Sequence, residues 1–140
     1  MKVTKAYVKR YVKHLFGTDI KVKFQRHFHS RCYGMADYDT HSITLSNHIL
    51  EDFEKQKAVI WHEVGHLRSN QNHYFSVIDE VLAQTWVLNE AKKRGYTRLY
   101  EDFIDYVRGW QHYPELSKQH QTIYGRASYQ ILKAQRRRTK

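Results

Sequence analysis

Apolar positions recur every three or four residues at the start of the chain. Val3, Tyr7, Val8, Tyr11, Val12, Leu15 and Phe16 form one stripe, the signature of an amphipathic helix. Gly17 follows as its stop. The period then shortens to two. Ile20, Val22, Phe24 and Phe28 alternate with Lys21, Lys23, Gln25 and His27, which predicts a half-buried strand. Tyr33 to Tyr38 is a weaker strand, Asp39-Thr40-His41 a turn, and Ser42-Ile43-Thr44-Leu45-Ser46 a short alternating strand. The first half therefore reads as one helix and a small antiparallel sheet.

From Asn47 onward the period is helical. A short helix is expected over Ile49 to Phe53 and a longer one from about Lys55 to Ser69, with Val59, Ile60, Val64 and Leu67 apolar. Ser69-Asn70-Gln71-Asn72-His73 is a polar loop. A further helix spans about Ser76 to Arg94 and stops at Gly95. Two more are expected, near Thr97 to Trp110 and after Pro114, the only proline. No repeat, linker or low-complexity tract interrupts the pattern. The fold class is α+β in a single domain of 140 residues, ending in a fraying basic tail at about residues 134–140.

The chemistry lies in His62-Glu63-Val64-Gly65-His66, in the middle of a predicted helix. Positions i and i+4 share one helix face, so both imidazoles can reach one Zn2+. Glu63 points beside the metal, where it can take a proton from activated water and pass it to a leaving amine. Gly65 in a helix interior costs about 1 kcal/mol, which points to close packing there. Catalytic zinc commonly has three protein ligands. If the next helix packs back on this one, Glu80 returns to the level of His66 and completes a His2Glu set. Asp79 points about 100° away around that helix. Glu90 lies too far along it. His73, seven residues after His66, is the alternative third ligand; the arrangement HExxHxxGxxH fails here, because its glycine and histidine positions are Ser69 and Asn72.

Charge and cysteine content change the picture only in part. The net charge is +10, and it is concentrated at the ends. Residues 1–23 carry seven Lys/Arg against Asp19 alone, and residues 117–140 carry seven Lys/Arg and no acid. A basic surface attracts anionic partners, so non-specific nucleic-acid contact through the termini is an expectation, Arg136 to Arg138 included. A solvated, solubilising surface accounts for the same charge. Cys32 is the single cysteine, which removes an internal disulfide and a CxxC zinc site and favours a reducing compartment. It reads as a buried thiol, with a thiolate cap on the metal as the alternative. Residues 1–13 are charged throughout, with no apolar leader, and no run of about 18 apolar residues exists. A cytoplasmic protein without a membrane span is expected. Trp61, Trp86 and Trp110 read as core residues. Tyr74, His73, His112 and Tyr113 could each donate to a developing oxyanion, and sequence does not choose among them.

One family resemblance rests on these residues. Ser42 to Ser46 ahead of the helix, Trp61-His62-Glu63-Val64-Gly65-His66, and Glu80-Val81-Leu82-Ala83-Gln84 together resemble a minimal gluzincin. The likeness is greatest to the ImmA/IrrE type of metallopeptidase found in mobile elements and phages, and covers about Gly34 to Gly95. It implies a zincin-like fold, His62, His66 and Glu80 as ligands, Glu63 as general base, and limited cleavage of one protein partner. By the same likeness, strand Ser42 to Ser46 would edge the cleft and receive an extended substrate. The chain departs from the pattern at Gln84, where asparagine or aspartate is more usual, in the short interval between His66 and Glu80, and in lacking a recognisable DNA-binding domain. Gly34 to Leu50 also resembles SprT-type proteases, whose third ligand is a later histidine, here His73. A different class remains open beside this one: a basic nucleic-acid-binding or protein-interaction module with a structural or inactive zinc site.

Overall fold

The computed structural model describes residues 2–26, 34–69, 76–111 and 118–138. Helix α1 runs over Lys5–Phe16. Thr4 caps it, its hydroxyl accepting from the Tyr7 N–H at 3.1 Å. Gly17 ends it in a positive-φ conformation (φ 96°), which glycine adopts without a Cβ penalty. Val8, Val12 and Phe16 are the buried stripe. They carry α1 onto an aromatic cluster in which Tyr7 and Tyr11 meet Phe53 edge-on, and Phe16 meets Trp61. The Trp61 Nε1–H donates to the Tyr11 hydroxyl at 2.9 Å.

The sheet has strands β1 (Lys21–Gln25), β2 (Gly34–Asp37) and β3 (Ser42–Ser46) in the order β1-β3-β2. It is mixed, which corrects the antiparallel expectation: β1 runs parallel to β3, with Lys21 opposite Ser42, and only β2 pairs antiparallel, with Asp37 opposite Ser42. The turn between β2 and β3 is built by Asp37, whose carboxylate accepts from the N–H groups of Asp39 and Thr40. A second correction concerns β3. It is the central strand, paired on both sides, so it cannot edge a cleft. Its outward residues escaped notice because they are small hydroxyls: Ser42 and Ser46 are buried along with Ile43 and Leu45.

Helices α2 (His48–Glu51), α3 (Phe53–Arg68), α4 (Val77–Lys93), α5 (Thr97–Gly109) and α6 (Lys118–Arg138) follow. Every residue from Ala58 to Gly65 is buried. The middle of α3 is therefore enclosed all round, with the sheet, α4 and α5 each packed against it. Ser76 caps α4, accepting from the Asp79 N–H. α5 and α6 close the far side, tied by Tyr100 to Gln135 (2.6 Å) and by Ser128 to the Val107 carbonyl (2.8 Å). Trp61 and Trp110 are buried, and Trp86 packs partly buried against the same core. Residues 134–138, expected as tail, are the last turn of α6; the stripe Ala127, Ile131, Gln135 is buried at helical spacing. Among the described residues no helix is long and apolar enough to cross a membrane.

A polar clasp joins the α1–β1 connection to the end of α3. Arg68 donates to both Asp19 oxygens (2.7 and 3.0 Å) and to the Phe16 carbonyl, and His41 adds 2.9 Å to Asp19. The Arg68 hydrogen bonds hold the Asp19 carboxyl well below its ordinary value of 3.8. A depressed carboxyl contributes stability above that ordinary value and loses it as the pH falls through the folded one. Asp19 is half exposed, so solvent limits the gain to about 1 kcal/mol. Asp19→Asn is expected to lower the melting temperature by roughly 2–4 °C at neutral pH. The gap to the native protein should narrow as the solution is acidified, which a pair of melts at each pH reads directly.

Candidate metal centre

His62 and His66 lie one turn apart on α3, and Glu80 faces them from the first turn of α4. His62 Nε2 stands 2.7 Å from Glu80 Oε2 and 3.1 Å from His66 Nε2, and His66 Nε2 stands 3.3 Å from the same carboxylate oxygen. His62 and Glu80 are 2% and 4% exposed, while the His66 side chain, at 12%, is the more open. The two helices approach this closely because of Gly65. A Cβ there would stand 2.4 Å from the Ala83 carbonyl oxygen and 3.0 Å from Val87 Cγ2. The glycine thus marks the place where α3 and α4 cross, between the two histidines.

The donor set fits a divalent ion. Two imidazole nitrogens and one carboxylate oxygen converge, the set that suits zinc with one position left over. Tetrahedral bonds of about 2.0–2.1 Å place ligand atoms roughly 3.3 Å apart; the three observed separations are 2.7, 3.1 and 3.3 Å, so only the His62–Glu80 pair would have to open, by about half an ångström. Among the described residues, this is the group that could hold a metal ion. Asp79 is buried but contributes no atom to it.

Burial and charge pull against each other here. Burial opposes a charged His62, yet the adjacent Glu80 carboxylate wins and raises the imidazole pKa. Burial likewise opposes a charged Glu80, and the two histidines more than offset it, lowering the carboxyl. The pair therefore holds a proton where an ion would compete for the same lone pair. Glu63 is different. Burial raises its pKa, the charge of Glu80 adds to this, and the histidines only partly oppose it, which makes Glu63 the stronger base of the two carboxylates. Gly34 on β2 leans directly on it: a Cβ there would stand 2.9 Å from Glu63 Cγ and from Val59 Cγ1.

Two neighbours had no role assigned from the sequence, Gln84 having been noted only as a departure from the family pattern. The His62 Nδ1–H donates to Gln84 Oε1 at 2.8 Å, with Gln84 fully buried. The Tyr38 hydroxyl stands 3.4 Å from His66 Nδ1. Burial, with the charges of Asp79, Glu80 and Glu63, pushes the Tyr38 phenol up to about 12. Gln84 had a usable signal, since it follows Glu80 by four residues and shares its face. Tyr38 had none, because it arrives from the sheet. Behind His62, the rings of Trp110 and Tyr106 lie at 5.2 and 6.2 Å and wall off the imidazole. His73, Tyr74, His112, Tyr113 and Cys32 lie outside the described residues. Compared with known protein families, curated proteins and solved structures, the chain matches none.

Proposed function

We propose that this chain is a zinc-dependent metallopeptidase, with His62, His66 and Glu80 as ligands and Glu63 as general base. The observation that supports it is the convergence of three ligand atoms in a buried setting, with an uncoordinated glutamate of raised pKa on the next residue. An ion held by these three residues would supply Lewis acidity, polarising a carbonyl and making water a stronger acid. Glu63 accepts the proton of the attacking water and returns it to the amine nitrogen as the C–N bond breaks. The wall of Trp110 and Tyr106 keeps bulk water from His62. The substrate is a protein or peptide in extended form. β2 passes over Glu63 and, unlike β3, is paired on one side only among the described residues, so it is the strand beside the site that could accept an added strand. Limited cleavage of one partner is what the likeness to the ImmA/IrrE type implies, and a cytoplasmic setting is what the single cysteine favours.

The test is metal content by mass spectrometry on native protein, His62→Ala and Glu80→Ala. About one zinc per chain in the native protein, lost from both variants, is the expected result. Full retention in Glu80→Ala would remove Glu80 from the ligand set and move the third place to His73. A native chain that takes up no metal, even after refolding with zinc, would overturn the peptidase in favour of a basic binding module.

A further inference from the structure

The chain is basic at both ends, and sequence alone does not say whether those ends meet. The structure brings them to the two flanks of a third basic cluster. Residues 92–98 hold Lys92, Lys93, Arg94 and Arg98 where α4 gives way to α5. Over residues 24–116 as a whole acids outnumber bases, so composition hides this cluster. Arg94 reaches to α1, its guanidinium carbon 5.5 Å from the centre of the Phe16 ring. Lys92 turns to the opposite flank and lies 4.7 Å from the centre of the Tyr100 ring, whose hydroxyl donates to Gln135 of α6 at 2.6 Å. The end of α4, with exposed Lys92 and Lys93, therefore stands between the end of α1, with exposed Lys13, and the end of α6, with exposed Arg136. We propose that this strip, from Lys13 across Lys92 and Lys93 to Arg136, binds the phosphate backbone of nucleic acid. It goes beyond the metal reading above and does not depend on it.

Cations at helix C-termini have a simpler reason to be there, since each such end carries about half a negative charge. The ends of α1, α4 and α6 together present about one and a half, less than the charge of Lys13, Lys92, Lys93 and Arg136. Arg98 lies in the first turn of α5, where the dipole opposes a cation. Arg94 is paired with Glu90 at 3.0 Å, but Lys13, Lys92 and Lys93 have no ion pair among the described residues. Neither α1 nor α6 contains an acid; Glu101 and Asp102 of α5 border the strip on one side. A surplus of positive charge thus faces solvent. A membrane surface would call for an exposed apolar face, and the apolar stripes of α1 and α6 are turned into the core. Tyr96, in the same turn, is 36% exposed, and an aromatic ring among cations suits a base or sugar better than an acidic side chain. Three helices side by side span roughly 20 Å, about six base pairs of duplex. Contacts to phosphates alone carry no sequence preference.

The experiment titrates the full chain into a fluorescein-labelled DNA duplex of about 20 base pairs and follows anisotropy at a series of salt concentrations. Native protein should bind two unrelated sequences alike, with an affinity that falls steeply as salt rises. The triple variant Lys13→Ala, Lys93→Ala, Arg136→Ala removes one cation from each helix. It should weaken binding at least about tenfold and flatten the salt slope by about three. A matched triple, Lys21→Ala, Lys23→Ala, Lys55→Ala, removes the same charge from exposed positions elsewhere and should bind within about twofold of native. All six side chains are exposed, and a melt of each variant confirms that the fold is kept. Equal weakening by the two triples would mean diffuse attraction and overturn the strip. Native protein that leaves the duplex free at about 50 mM salt, or that prefers polyglutamate or phosphatidylserine vesicles to it, would overturn the assignment to nucleic acid. Zinc content is untouched by any of these outcomes, so failure here is distinct from failure of the metal reading.

Discussion

Glu63→Gln is expected to keep its zinc and its melting temperature and to lose at least about 100-fold in hydrolysis, since a positioned general base contributes roughly 10²–10⁴. The substitution is close to isosteric, and Glu63 is not among the three ligands, so the metal has no reason to leave. It removes the one carboxylate of the site that is free to carry a proton. Its burial and the nearby charge of Glu80 make it the better proton acceptor, and the amide cannot take that role. The assay is cleavage of a mixed peptide library read by mass spectrometry, with zinc content measured on the same samples. Equal cleavage by both proteins would dismiss Glu63 as the base. Loss of cleavage together with loss of zinc would instead place Glu63 in the ligand set.

Gly65→Ala should be the most damaging single methyl in the molecule. The added carbon would stand 2.4 Å from the Ala83 carbonyl oxygen, a backbone atom that no rotamer change can move aside. Overpacking of this kind costs about 1–3 kcal/mol, and a clash with backbone belongs at the top of that range. Better helix propensity returns about 1 kcal/mol. A net loss of about 2 kcal/mol lowers the melting temperature by roughly 4–8 °C. The clash lies between His62 and His66 on one side and Glu80 and Gln84 on the other, so zinc affinity should fall with stability. An unchanged melt and unchanged zinc binding would show that α3 and α4 do not cross at this residue.

Periodicity and punctuation made the helices legible. Gly17 and Gly95 end α1 and the region of α4 as expected, Ser76 serves as a cap, and Ser42–Ser46 is a strand with those bounds. The face shared by His62 and His66 follows from spacing alone, and Glu80 follows from helix length plus a guess at packing. Strand direction was not legible. Alternation says which residues share a face, but a parallel and an antiparallel neighbour leave the same mark, so β1 beside β3 could not be foreseen. Nor could the central place of β3, since serine and threonine tolerate both water and burial. The end of α6 misled for a related reason. Arg136 to Arg138 look like a tail by charge, yet arginine is a good helix former, and the apolar stripe upstream sets the helix. Tyr38 could be found only by bringing sheet and helix together.

The enclosure of α3 bears on how an ion could leave. Its central residues, Ala58 to Gly65, are buried, with the sheet, α4 and α5 packed against them. Hydrogen exchange in that segment is expected to report opening of the whole molecule and not a local fray. Two of the three residues that could hold an ion are carried on this buried helix, so binding an ion there would be linked to keeping the fold. The free energy that holds the ion is added to the cost of unfolding anything at all. A site on a surface loop could exchange its metal without disturbing the rest of the chain. An ion held here, with His66 12% exposed at its open side, would instead add its binding free energy to the stability of the whole fold.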